Sequence, residues 1–113
     1  MTVTTFVENL KQEPKTVQFE ETIAIIDTHY DFTPSLFTNG NITNQAGENS
    51  GSCKVFSFAK QHQLNKEETL SCFGKYYQDV LNTPESNDHQ NIRNFIKTGW
   101  EGISFDNEAL LKK

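Results

Sequence analysis

The sequence predicts a mainly α-helical single domain over residues 1–113, with about five helices and a small β-hairpin or short β-sheet, an α+β-type arrangement. Three observations carry that expectation. Apolar side chains recur every three or four residues through most of the chain, which lines one face of a helix. An Asn39-Gly40 pair stands between short apolar flanks, a turn signal for a hairpin. Gly102-Ile103-Ser104-Phe105 alternates as a half-buried strand does and can lie beside that hairpin.

Taken in order, Val3, Phe6, Val7 and Leu10 give the first helix over 3–13. Pro14 stops it, because the residue before a proline is pushed out of helical geometry. A second helix spans about 17–30 on the stripe Phe19, Ile23, Ile26 and Tyr30, with Glu20 and Glu21 in its first turns, where the helix dipole favours negative charge. The hairpin follows over 36–42. Residues 43–51 are nearly all polar and read as a surface loop, longer than most connections. The third helix, about 52–63, buries Val55, Phe56, Phe58 and Ala59, with His62 as a cationic partner for its C-terminal dipole. Asn65 caps the fourth, and Glu68 three positions on completes a capping box. Leu70, Phe73, Tyr77 and Val80 are its inner face. Thr83-Pro84 breaks the chain, and a fifth helix over 88–98 turns Ile92, Phe95 and Ile96 inward from an Asp88 cap. Gly99 ends it in a left-handed cap, with Trp100 packing back on Phe95. The tail is expected to fray from 107 to 113.

Composition excludes several classes of function. The net charge is −5, and nine Phe stand against one Met and one Trp. An acidic chain without a basic run lacks the surface that displaces counterions from nucleic acid. A membrane-surface role is disfavoured on the same ground, and no apolar run reaches the roughly 18 residues a spanning helix needs. Residues 1–10 lack a basic region followed by an apolar one, so a Sec-type leader is not expected. Cys53 and Cys72 show no C-x-x-C spacing and read as reduced thiols of a cytoplasmic protein.

Two stretches carry candidate chemistry. In Asn49-Ser50-Gly51-Ser52-Cys53-Lys54, hydroxyls, a thiol and an ammonium gather at a helix start, where backbone N–H groups attract anions. The position, beside Lys54, is expected to lower the Cys53 pKa. In Asp88-His89-Gln90-Asn91-Ile92-Arg93-Asn94-Phe95 there are more polar residues than one cap requires. There Arg93 can hold a carboxylate or phosphate bidentately. The bland readings are a well-capped helix and a solvated helix face. Asn49, Ser52, Cys53, Lys54, His89, Asn91, Arg93 and Asn94 are therefore the candidate ligand-binding residues, and Cys53 with His89 the candidate catalytic pair. Asp27, His29, Asp31 and His89 lack metal-ligand spacing, so neither a metal nor a cofactor is expected.

The chain resembles the HopJ type III effector family. The resemblance rests on Thr22-Ile23-Ala24-Ile25-Ile26-Asp27 with Tyr30-Asp31-Phe32-Thr33-Pro34, on Phe37, Asn39-Gly40 and Asn44-Gln45-Ala46-Gly47, and on Asn49 through Lys54. It continues in Phe73-Gly74, Tyr77, His89 through Phe95 and Gly99-Trp100, about residues 17–106 in all. It implies a protein of bacterial origin and, as an alternative to a cytoplasmic location in the producing bacterium, type III export into a host cell. It carries over no catalytic residue and no cofactor. Type III export reads a disordered N-terminal segment, whereas helical periodicity here begins by Val3. The expectation is a non-enzymatic binding module whose two polar stretches converge on a small anionic ligand or a host or other partner protein. The alternative is a cysteine-dependent hydrolase or transferase using Cys53 and His89.

Overall fold

The computed structural model describes residues 2–113; Met1 lies outside the described residues. Among the described residues, six α-helices surround an aromatic core, and two small antiparallel sheets pack with them. Helix α1 (Val3–Gln12) starts where the Thr2 side chain accepts the Thr5 N–H, and it buries Phe6 and Leu10. A single 3-10 turn, Pro14–Thr16, leads to α2 (Phe19–His29).

The second helix is shorter than its stripe suggests. Tyr30 is buried, but as the first residue of strand β1 (Tyr30–Phe32) rather than a last helical turn. The partner that draws it out is β5 (Leu110–Lys112), paired Tyr30 to Lys112 and Phe32 to Leu110. The expected frayed tail is therefore corrected. Ala109 and Leu110 are buried, and the strand is held by a ladder no local pattern announces.

Strands β2 (Phe37–Asn39) and β3 (Ile42–Asn44) form the hairpin, and β4 (Ile103–Phe105) pairs with β2, as the alternation at 102–105 led one to expect. Asn39 pairs with Ile42, so the two turn residues are Gly40 and Asn41, one position later than expected. Only Gly40 has positive φ (+62°), which is the pattern of a II′ turn rather than I′.

Helix α3 (Ser50–Gln61) is the centre of the molecule. Val55, Phe56, Phe58 and Ala59 are wholly inaccessible. The Phe56 ring lies 5.0 Å from Phe95, 5.5 Å from Phe73 and 6.1 Å from Phe37, so one side chain joins three distant parts of the chain. Burying a ring of this size contributes roughly 2–3 kcal/mol. His62, expected as a cationic dipole partner, instead meets the Tyr30 hydroxyl at 2.7 Å. Burial, assisted by Lys112, lowers its pKa, which favours the neutral ring.

The expected fourth helix is two, α4 (Lys66–Ser71) and α5 (Lys75–Asn82). Gly74 divides them at φ +57°, where an added Cβ would come 2.7 Å from the Phe19 nitrogen, so the close approach of α2 imposes the break. Asn65 and Glu68 form the full capping box of α4. Helix α6 (Gln90–Thr98) starts two residues later than expected, and a 3-10 turn, Gly99–Gly102, follows it. Trp100 meets Phe95 edge-on at 5.2 Å, as the cap predicts, but Gly99 at φ +61° and ψ −154° has the positive φ of that cap without its left-handed helical ψ.

Candidate functional site

The loop before α3 and the loop before α6 do meet. Their helix starts open on one cleft of about 670 Å³, lined among others by Asn49, Gly51, Ser52, His89, Gln90 and Asn91. Its apolar wall is a chain of rings. Phe19 lies against Phe73 and edge-on to Tyr76 at 5.1 Å, and Tyr76 faces the His89 imidazole at 5.4 Å. Gly51 is small because Phe19 is there, since a Cβ would sit 3.0 Å from the ring tip.

Both helices start in an unusual way. The caps Asn49 and His89 are left-handed, with φ and ψ near +49°, and neither side chain caps its helix. First-turn N–H groups have no intrahelical acceptor, so these ends present donors and positive dipole ends without a side chain to satisfy them. The expected Asp88 cap is corrected accordingly. Asp88 lies one residue further out and is bound to Arg93.

Below the cleft, asparagines fasten the hairpin to α6. Asn91 and Asn44 exchange amide hydrogen bonds at 3.0 and 3.1 Å. Asn39 Nδ2 donates to the Asn91 side chain and carbonyl, and Asn49 Nδ2 donates to Asn44 Oδ1 at 2.7 Å. Asn94 Nδ2 holds the hairpin turn through Asn39 O and Asn41 Oδ1, both at 2.9 Å. Asn91, Arg93 and Asn94 are each more than nine-tenths buried, so the reading of this stretch as a solvated face is also set aside.

The two cations do not enter the cleft. Arg93 donates to Thr83 O at 2.8 Å and to Asp88 Oδ1 at 2.6 Å, which ties the 83–88 segment to α6 and leaves no open fork for an anion. Its guanidinium also holds the Asp88 carboxyl below the usual range. Lys54 Nζ lies 2.8 Å from Asp27 Oδ1 and 5.0 Å from the Phe32 ring centre, on the side of α2 and β1.

Cys53 also departs from expectation. It is 1% exposed, its sulfur faces the Ser35 carbonyl at 4.0 Å, and it does not line the cleft that His89 lines. Burial pushes the thiol pKa up, outweighing its hydrogen bonds, where a helix start had suggested the opposite. Cys72 is buried and pushed up to about 12. His89 Nε2 lies 3.8 Å from Asp88 and 3.9 Å from Asp79, so carboxylates are its neighbours rather than a thiol. No group of metal-ligating side chains occurs among the described residues. Sequence reasoning missed Phe19, Ile42, Phe73 and Tyr76 as cleft residues. Helical spacing marked Phe19 and Phe73 as core, Tyr76 flanked that stripe and Ile42 lay in the hairpin; that all four border one cleft depends on tertiary structure.

Together these features describe a small α+β domain with one polar, ring-walled cleft at two helix starts. The chain belongs to the HopJ type III effector protein family, whose match spans residues 3–110 and so takes in α1, ahead of the resemblance read from the sequence. It is also similar to a crystal structure of a protein of unknown function, VPA0580. The two share 54% identity and a TM-score of 0.99, over 100% of this chain and 95% of that one. No curated protein matches the sequence. No helix among the described residues is long and apolar enough to cross a membrane.

Proposed function

We propose that this domain is a non-enzymatic binding module that takes a small anionic ligand in the cleft between the starts of α3 and α6. The observation that supports it is the convergence of two helix starts, neither capped by a side chain, on one ring-walled cavity. Donors at both ends would hold the anionic group, and the edges of Phe19, Phe73 and Tyr76 would pack against an attached planar or apolar body. Ser52 and His89 offer side chains in this reading, while Asn49 and Asn91, whose amides are spent on Asn39 and Asn44, line the cleft beside them. Arg93, Asn94 and Lys54 serve the scaffold instead, and Cys53 has no part in it.

Titration with phenyl phosphate, followed by amide chemical shifts, tests the proposal. Saturable shifts are expected at Gly51, Ser52, Gln90 and Asn91. Ser52→Glu puts a carboxylate among the same donors and should abolish them while leaving the melting temperature unchanged or slightly higher, because a first-turn carboxylate suits the helix dipole. Binding that survives Ser52→Glu, or shifts confined to other faces, overturns the reading.

Family membership favours a second reading of where the domain acts, namely delivery into a host cell and contact there with a host protein. A translocation reporter fused to the chain should reach host cytosol only when type III secretion is intact; equal signal in a secretion-deficient strain dismisses it.

A further inference from the structure

A second cleft, of about 370 Å³, lies between the outer face of α3 and the segment joining β4 to β5. Its lining includes Ser57, Lys60, Phe105, Glu108 and Ala109. Ser57 is 6% exposed, and its hydroxyl has no hydrogen-bond partner beyond a weak contact with the Cys53 thiol one turn earlier. A serine inside a helix ordinarily returns its hydroxyl to the carbonyl four residues back, and this one does not. A buried hydroxyl at the edge of a cavity with only a thiol beside it points to a stronger partner that is absent.

The charges around it are of both signs. Lys60 Nζ stands 5.8 Å from the Phe105 ring centre and makes no ion pair among the described residues. Glu108 Oε1 accepts from Gln61 Nε2 at 3.1 Å, and the same amide donates to Leu110 O at 2.8 Å, which fixes the carboxylate on the rim. Asp106 adds a second carboxylate. A simple anion would meet two like charges here, and a simple cation would meet Lys60. A molecule carrying both charges meets Lys60 with one end and a rim carboxylate with the other.

We propose that this cleft binds a small zwitterion of the α-amino acid class. Its carboxylate lies on Lys60 and the Ser57 hydroxyl, and its ammonium on Glu108. The site is separate from the α3–α6 cleft and does not depend on the function proposed for it.

The test is an amide-shift titration of the full chain with L-alanine, run beside acetate and methylammonium as half-ligands. L-alanine in the millimolar range should give saturable shifts at Ser57, Lys60 and Ala109, and neither half-ligand should match them at equal concentration. Ser57→Ala and the surface variant Lys60→Gln should each weaken binding by about five-fold, the worth of one hydrogen bond. Phenyl phosphate shifts at Ser52 and Gln90 should be untouched by either change. Equal shifts with acetate would make this a simple anion site and sink the proposal, as would no saturable response to L-alanine. Undiminished binding in Ser57→Ala with a raised melting temperature would mean that the hydroxyl is only an unsatisfied core group.

Discussion

Asparagine opens both α3 and α4, and the two residues behave in opposite ways. Asn65 has ordinary extended geometry, and its Oδ1 accepts the Glu68 N–H at 2.8 Å while Glu68 returns the favour. Asn49 is left-handed, and its amide turns away from its own helix to Asn44. At α4 the side chain closes the helix end; at α3 it braces the hairpin and leaves the end open. His89 repeats the second arrangement at α6, and both open ends line the same cleft. A closed end is explained by stability alone. An open one has its backbone donors left over for something else.

The contrast is most easily broken at Asn91, which carries the amide network under the open ends. Asn91→Leu strands the amides of Asn39 and Asn44 in the interior and should cost about 3 kcal/mol in denaturant unfolding. A loss below about 1 kcal/mol would mean that the open starts are held by apolar packing. Arg93→Ala comes next, at about 2 kcal/mol, through release of the 83–88 segment. It should leave phenyl phosphate affinity within a factor of about two, since the guanidinium is spent on Thr83 and Asp88. Lost affinity with stability intact would restore Arg93 as a ligand residue.

The comparison itself is sharpened by replacing each asparagine. Asn65→Ala should cost about 1 kcal/mol, the ordinary worth of a helix cap. Asn49→Gly should change stability by only a few tenths of a kcal/mol, because glycine accepts a left-handed cap without strain and offsets the lost Asn44 bond. The smallest effect is in acid. The Asn65 N–H, aided by Lys11, holds the Glu68 carboxyl below its usual range. As pH falls through about 4, the unfolded chain takes up this proton first, so the contribution present at neutral pH fades and is gone below the folded pKa. Glu68→Gln should make the acid limb of the stability curve shallower; an unchanged limb would show that the box contributes nothing there.

Much of this was legible in the residues themselves. The stripes on α1 and α3, the Asn65–Glu68 box, the Gly99–Trp100 cap and the strand at 103–105 all follow from local spacing. What escaped depends on distant partners. β5 exists because β1 lies beside it, and the break at Gly74 exists because the α2 backbone presses there. The inward turn of Asn91, Arg93 and Asn94 was hidden because polar side chains read as solvent-facing unless their partners are known. Of the candidate site, the two polar stretches that border the cleft were legible. Which of their residues point into the cleft was not, and Lys54, Cys53 and Arg93 point elsewhere for reasons lying in α2, Ser35 and Thr83.

The hairpin contains the dipeptide Asn39-Gly40, the pairing most prone to slow chemical ageing, in which the glycine nitrogen attacks the asparagine side chain and ammonia is lost. In the folded chain that nitrogen donates to the Gly102 carbonyl at 3.0 Å, while the side-chain amide is gripped by Asn91. Ageing at this spot should therefore keep time with unfolding rather than with the calendar, and material stored folded should outlast any sample held near its melting point.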